Sequence, residues 1–491
     1  MKYICLSFLC FTCVASSVAQ SLKAPATASI REAEIRKDLF AMAADHFRGR
    51  EAGTLDELKV SMWLANQAAA AGLEPAGDDN TYFQFFSLVR NRISPVSSIK
   101  IGDVTYKAWQ DVLITQTSQV SVTAPFLFIA NPTKEELDKA DVKGKAVAFR
   151  PTAQGINLNV SLPERRYLGY VSRKYAADLL RRGAAAIIFI ADDFGEKSWV
   201  QSLPNLQRGT YNIPGGQSAA VQQSRAPILW LHASAVEALK APGQNFTASI
   251  FTEQFEYPSV NVIGKIPGTD PVLSKECVLF SGHQDHDGVR QPYGNDSIYN
   301  GADDNASVSV ALLAIARAFH KQPGRRSALF VWHGAEERGL LGSRWYAAHP
   351  TVDINSIVAV LNGDMIGRNN PDSAALLGAQ SPHRNSTELV EMALSANREG
   401  PKFKLDTLWD KATHNEGWYF RSDHLSYARI GIPSLFYTTL LHPDYHTPMD
   451  EASRIDVKKI EKVADWMYRT GWKVANTDKR PAVDPGFKLE R

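Results

Sequence analysis

Cysteine is scarce: the 491-residue chain has four. Three of them, Cys5, Cys10 and Cys13, fall in the opening stretch MKYICLSFLCFTCVASSVAQS. There a lysine, a short apolar run and small residues ending in Ser17-Val18-Ala19 predict a secretory leader over residues 1–19, hence an exported, periplasmic or extracellular protein. With the leader removed only Cys277 remains, which excludes an internal disulfide and leaves stability to core size, metal or both. Charge of one sign is lacking too. Lys and Arg number 54 against 52 Asp and Glu, a net charge of +2 that gives no footprint for nucleic acid. Long apolar runs are missing: the leader's is too short for a confident membrane span and no comparable run recurs. Internal repeats and low-complexity tracts are also absent. What is present, 44% apolar and 22% charged residues, is the composition of a soluble globular protein. The length exceeds one ordinary core and predicts a large catalytic-size domain plus a second module.

The chain changes texture twice. IREAEIRKDLFAMAADHF and DELKVSMWLANQAAAAG space apolar residues by three and four, as helices do, so residues 20–111 read as an N-terminal helical part. From about Val112 short β-rich runs take over, among them APFLFIANP, GKAVAFRP, AAAIIFIADD and APILWLH, interrupted by one helix, KYAADLLRRG. Residues 112–255 therefore read as a β-rich module inserted before the main domain, 256–491. In that domain ECVLFSGH, SALFVWHG, NSIVAVLNGD and IPSLFYTTL read as strands, and NASVSVALLAIARAFHK, STELVEMALSA and VKKIEKVADWMYRTGWKVA as helices. Such alternation predicts an α/β fold: a mixed, largely parallel central sheet flanked by helices, with its crevice at the carboxyl ends of the strands.

Metal-type side chains gather at those ends: His283 in SGHQDHDG, Asp303 in NGADDNAS, Glu336 and Glu337 in HGAEERG, Asp364 in NGDMIG, and His446 in YHTPMD. Singly each has an ordinary explanation, as a helix cap or a satisfied histidine. Together, two histidines and three carboxylates form a donor set for two borderline divalent ions, and the mixture favours zinc, two per chain. Ions about 3.5 to 4 Å apart repel, so an anion must lie between them, and a bridging aspartate supplies one. Asp303, Glu337 and Asp364 leave two such cations with one surplus positive unit. That favours a bound hydroxide, because coordination lowers the pKa of water to about 7. The doubled glutamate then makes sense: one carboxylate binds metal while its neighbour takes a proton from the water. Asp285, two residues beyond His283, could orient the imidazole or be a simple turn residue. His286, His333, His424 and His442 read as near-site or structural.

The motifs SGHQDHDG, IYNGADDNAS, HGAEERGLLGS, LNGDMIGR and YHTPMDEASRID, in this order and spacing, resemble the co-catalytic di-zinc exopeptidases that include secreted bacterial aminopeptidases and glutamate carboxypeptidases. The resemblance is strong over residues 256 to 475. FRGREAGT resembles the family's N-terminal extension, and VKGKAVAFRP through KYAADLLRRGAAAIIFI looks like an inserted protease-associated domain. It implies that Asp303 bridges both zincs, that His283 and Asp364 complete one site, and that Glu337 and His446 complete the other. It also makes Glu336 the general base and Tyr445 a donor to the oxyanion. One departure is Val308, where relatives often carry glycine; altered packing with intact ligation is expected there.

The implied activity is removal of N-terminal residues from peptides. A carboxypeptidase or dipeptidase is the alternative, and would need arginines aimed at a free carboxylate, with Arg344, Arg368 and Arg421 as candidates. Aminoacylase-like relatives carry their extra domain after the paired acids, and glutaminyl cyclases use one zinc. A non-catalytic binding protein on the same scaffold should have broken the metal set, and none of its positions is broken.

Overall fold

The computed structural model describes residues 23–215 and 226–490. The expected leader, with Cys5, Cys10 and Cys13, lies outside the described residues; Cys277 is buried and unbridged. None of the described helices is long and apolar enough to cross a membrane.

Four neighbouring strands run parallel at the centre of a ten-stranded sheet, in the order Ser434–Thr438, Ile357–Gly363, Cys277–His283 and Ser327–His333. Antiparallel strands flank them: Thr252–Ile266 and then Phe83–Ile93 on one side, Ser373–Leu377 on the other. All seven residues of Cys277–His283 are buried, so this strand shows no polar alternation and must be covered on both faces. Val278 and Phe280 enter the core beneath the helices Ser307–Lys321 and Val457–Asn476. Cys277 and Leu279 enter the opposite core with Tyr346 and Tyr427. The last helix buries Ile460, Val463, Ala464 and Met467, a three- and four-residue spacing, and Asp456 caps it by accepting from the Lys459 N–H. Ile460, Val463 and Met467 each contribute about 1.5–3 kcal/mol by burial, and the cap about 1 kcal/mol.

The strand ends are level. His283 stands opposite His333, Ser281 opposite Asn362, and Gly363 opposite Tyr437. The loops that follow therefore open at one end of the sheet, and these are the loops that carry the acids and histidines.

Between Phe83–Ile93 and Thr252–Ile266 the chain builds an eight-stranded sheet with its own cores. Its strands run from Ser98–Ile101 to Asn245–Ile250, beginning upstream of the change in texture near Val112. The early pair, Ser98–Ile101 with Val104–Lys107, is a four-residue hairpin too short to announce itself by alternation. Two long helices, Pro163–Arg181 and Asp193–Arg208, lie here, where the sequence reading has one. The second contains Gly195 and Pro204, which weaken a helical signature, although its Asp192 cap accepts from the Gly195 N–H. Thr210–Asn212 returns to pair with Phe83–Ile93 and ties the unit to the larger sheet.

Candidate metal centre

Arg50, from the FRGREAGT motif, fixes two of the loops at the strand ends. Its buried guanidinium donates to the carbonyls of Gln284 (2.8 Å), Asn300 (2.5 Å) and Gly301 (2.8 Å), so the HQDHD and NGADD segments are held to one another. Asp285 organises a third. Its carboxylate accepts from the backbone N–H of Glu336 (3.0 Å) and Glu337 (3.3 Å) and fixes the turn that bears the paired acids. Its backbone carbonyl, 3.0 Å from His283 Nδ1, orients the imidazole, while its carboxylate stands 3.8 Å away.

The carboxylate between the histidines belongs to Asp304, not to Asp303. Asp304 Oδ1 lies 3.2 Å from His283 Nε2 and Oδ2 lies 3.2 Å from His446 Nε2. Asp364 Oδ2 is 3.6 Å from the same His283 nitrogen, and Glu337 Oε1 is 3.3 Å from the same His446 nitrogen. Asp303 is turned the other way: Oδ1 accepts from the Gly367 N–H and Oδ2 faces His442 Nε2 at 3.5 Å. The backbone decides which of two identical neighbours points inward. Asp450 accepts from the N–H of both residues, and Asp304 and Asn305 then leave helical geometry (φ −104°, ψ 89° and φ −133°, ψ 37°) before the Ser307–Lys321 helix starts.

Of the four histidines read as near-site or structural, three are outside the cluster. His333 pairs with the Tyr427 hydroxyl, His424 stacks on Phe436, and His442 faces Asp303. His286 is inside it, with Nδ1 2.9 Å from Glu337 Oε1 and 3.9 Å from Asp304 Oδ2. Asp287 supports the cluster from behind: its Oδ2 is 2.9 Å from His446 Nδ1. Neither residue stands out in HQDHDG, where five polar side chains occupy five consecutive positions.

The donor set suits divalent cations. His283 Nε2, both nitrogens of His286 and Glu337 Oε1 are buried without hydrogen-bond partners, although His283 Nε2, His286 Nδ1 and Glu337 Oε1 face oppositely charged atoms at 2.9–3.9 Å. Their electrostatics are those of a cluster that wants positive charge. Burial disfavours the His283 imidazolium, but Glu336 and Asp364 overcome it and hold its pKa well above the ordinary value. Burial likewise pushes Glu337 up, but His446 and His286 outweigh it and leave this carboxyl below its usual range. Glu336 goes the other way: burial raises it, His283 offsets part of that, and Glu337 and Asp364 raise it further, well above an ordinary glutamate. Two adjacent carboxyls are thus driven apart, the pattern that separates a ligand from a proton carrier.

Residues 261–470 match the family profile described as Peptidase family M28. Over those residues the chain is similar to peptidase family M28. Aminopeptidase YwaD of Bacillus subtilis (strain 168) is 26% identical over 372 residues, covering 74% of this chain and 70% of that protein. A probable leucine aminopeptidase of Trichophyton verrucosum (strain HKI 0517) is 29% identical over 228 residues, 44% of this chain and 58% of its own length. Among solved structures, an aminopeptidase from Aneurinibacillus sp. strain AM-1 superposes with a TM-score of 0.57 at 19% identity, covering 94% of this chain and 97% of its own. BSAP, a zinc aminopeptidase from Bacillus subtilis, gives 0.56 at 18% identity, covering 95% and 100%. These likenesses establish the mixed α/β fold.

Within the matched region Val308 lies in the first turn of its helix and is fully buried. Its side chain fills the space that side chains on Gly282 and Gly363 would need. A Cβ on Gly282 would come within 2.6 Å of Val308 Cγ1, and one on Gly363 within 2.9 Å. Both glycines immediately precede cluster residues, His283 and Asp364, so packing here and the placement of those two side chains are coupled.

A cavity of about 500 Å³ opens onto the cluster. Glu336, Asp364 and Tyr445 line it together with Arg165 and Arg166, from the Pro163–Arg181 helix of the inserted unit. The Tyr445 hydroxyl accepts from Arg421 Nη2 at 3.1 Å, and its ring lies 4.0 Å from that of His446. A larger cavity, about 1030 Å³, lies within the inserted unit around Thr133, Arg150 and Lys174; no histidine lines it.

Proposed function

We propose that this metallo-exopeptidase is an exported di-zinc aminopeptidase that hydrolyses N-terminal residues from peptides. The observation that carries the reading is the Asp304 carboxylate, whose two oxygens each face a different histidine nitrogen at 3.2 Å. His283, Asp304 and Asp364 would hold one ion, and Asp304 and Glu337, with His446 facing both carboxylates, the other. When bound, such ions polarise a substrate carbonyl and activate water for attack. Glu336 takes the proton from the attacking water and passes it to the leaving amine. Burial and the neighbouring Glu337 and Asp364 carboxylates raise its pKa above that of an ordinary glutamate, which favours its taking up a proton. Tyr445 donates its phenol proton to the oxyanion: burial raises its pKa and keeps it protonated. Asp285 positions His283 and the Glu336–Glu337 turn without touching substrate. The names of the relatives, aminopeptidases and a zinc aminopeptidase, support the same reading. So does the inserted eight-stranded unit, which we read as a protease-associated domain shaping the substrate entrance through Arg165 and Arg166.

The test is an assay of zinc-loaded and chelated protein on a panel of amino acid p-nitroanilides and N-blocked dipeptides. Zinc-dependent release from the anilides with free amino groups is expected. Cleavage of the blocked dipeptides alone would overturn the aminopeptidase assignment, and activity indifferent to chelation would overturn the metal centre.

One observation favours the carboxypeptidase or dipeptidase alternative. Arg165, Arg166 and Arg421 all line the cavity, while Arg166 and Arg421 share a single carboxylate, Glu416 (2.9 Å each). The nearest carboxylate oxygen to Arg165, on Asp287, is 3.9 Å away. Guanidinium charge is therefore left over for a substrate carboxylate. Of the other arginines considered, Arg368 is bound to Asp444 (2.6 Å), and Arg344 does not line this cavity. Faster turnover of a dipeptide than of its C-terminal amide would select this alternative.

A further inference from the structure

We infer that His286 is a ligand of the second ion, so that this ion is held by four protein atoms and the first by three. The inference rests on the two-ion reading above and adds a residue and an asymmetry to it. His286 is fully buried, and neither of its nitrogens has a hydrogen-bond partner. Its Nδ1 approaches Glu337 Oε1 at 2.9 Å and Asp304 Oδ2 at 3.9 Å. His446 Nε2 faces the same two oxygens at 3.3 and 3.2 Å. Two imidazole nitrogens and two carboxylate oxygens thus alternate around one point. Adjacent ligand atoms on a tetrahedral zinc with bonds of 2.0–2.1 Å stand about 3.3 Å apart, the middle of this range.

The ring is held there by its surroundings. A Cβ on Gly301, which has φ +54°, would fall 2.4 Å from His286 Cγ, so the imidazole occupies space that only glycine leaves open. The His286 N–H donates to the Arg50 carbonyl at 3.3 Å. Asp287 cannot take the same place. Its Oδ2 is engaged with His446 Nδ1, on the far side of that ring, and its Oδ1 faces Arg290 and Arg338. The His283 half has no fourth ligand of this kind: Asp304 and Asp364 stand at 3.2 and 3.6 Å from Nε2, and Glu336, the proton carrier, at 3.8 Å. Sites closed by four protein ligands hold structural zinc, whereas three-ligand sites keep a position open for chemistry. The second ion should therefore be the tighter one and the first the exchangeable one.

The experiment is a zinc titration of wild type, His286→Ala and His286→Gln against a chromophoric chelator, with metal content by mass spectrometry and folding by circular dichroism. Wild type should hold two ions of unequal affinity, and His286→Ala should weaken the tighter one by at least about tenfold while leaving the other unchanged. X-ray absorption of zinc-loaded wild type should count three imidazoles shared by two ions, which decides the matter should the variants fail to fold. Two ions at wild-type affinity in folded His286→Ala, or two imidazoles per ion pair, would overturn the inference alone. A wild-type chain that takes up no zinc would overturn the two-ion reading beneath it.

Discussion

Two buried clusters in this protein combine histidine with carboxylates, and they have opposite hydrogen-bond economies. In one, His383 Nδ1 meets Asp410 Oδ1 at 2.9 Å and Nε2 meets Glu490 Oε1 at 3.1 Å, while Asp410 also accepts from the N–H of Gly378, Ala379 and Gln380. The ring stacks on Tyr419 at 4.2 Å. Every polar atom of that imidazole is satisfied, and its work is to fasten the C-terminal segment to the domain. In the other, His283, His286 and Glu337 present buried atoms without hydrogen-bond partners. An unpaired buried polar atom costs about 1–3 kcal/mol, more for a charged one, so a fold that keeps several together has reserved them for something else. Burial of histidine beside acid does not distinguish a cation site from a structural pair; the saturation of the lone pairs does. His424 sharpens the rule. It too is unpartnered, but it lies against Phe436 and Tyr419, and burial lowers its pKa to about 3, so it is a neutral ring in an aromatic setting.

The comparison can be broken most severely at the bridging carboxylate. Asp304→Ala should abolish binding of both ions and reduce peptidase turnover to background, whereas Asp303→Asn should keep both ions; metal analysis of the two purified variants decides which neighbour faces inward. Glu336→Gln should retain its zinc and its fold while kcat drops by about 10²- to 10⁴-fold. Glu337→Ala should instead lower metal affinity, and equal metal loss in both would reverse their roles. Next in size is Gly282→Ala, which drives a methyl into Val308. A loss of about 1–3 kcal/mol in urea unfolding is expected, with much of it recovered in the Gly282→Ala, Val308→Ala double variant.

The smallest effects belong to the saturated cluster. Glu490→Gln should leave zinc content unchanged and cost under about 1 kcal/mol, since Glu490 is partly exposed. Its pH dependence has a definite sign. Burial lowers the pKa of His383, but Asp410 and Glu490 overcome it and leave the folded value above the ordinary one. The folded state thus binds the proton more tightly than the unfolded chain. The ion-pair stabilisation is fully present below the unfolded pKa of about 6.5 and fades as pH rises through the raised folded value. Urea midpoints of wild type and Glu490→Gln measured across that window should converge at the alkaline end.

Much of this was legible in residue order. The apolar runs ending at His283, His333, Gly363 and Thr438 are strands buried on both faces, and the loops after three of them hold acids of the cluster, as level parallel strands require. His283 and Asp364 lie on one side of Asp304, and Glu337 and His446 on the other. The choice of Asp303 over Asp304 failed because adjacent identical residues carry no periodicity signal in a turn. The distinction lies in Asp450 and Gly367, 147 and 64 residues away, which bind the backbone and side chain of Asp303. His286 was passed over for a similar reason: its environment is made by Gly301, Glu337 and Asp304, none of them its neighbour in sequence. The Asp193–Arg208 helix escaped because its amphipathic face is interrupted by residues that usually end helices.

Sequence by itself determined the chemistry available here: imidazoles and carboxylates at the ends of apolar strands, with paired glutamates that two like charges side by side would not tolerate without a cation. Tertiary structure alone decided which oxygen of which aspartate lies between two histidines, which spare histidine joins them, and which arginines of the inserted unit reach the cavity. The reason is physical. Composition and periodicity govern burial, which is averaged over a whole element, whereas coordination depends on single atoms placed to within a few tenths of an ångström by backbone turns and contacts between residues far apart in the chain.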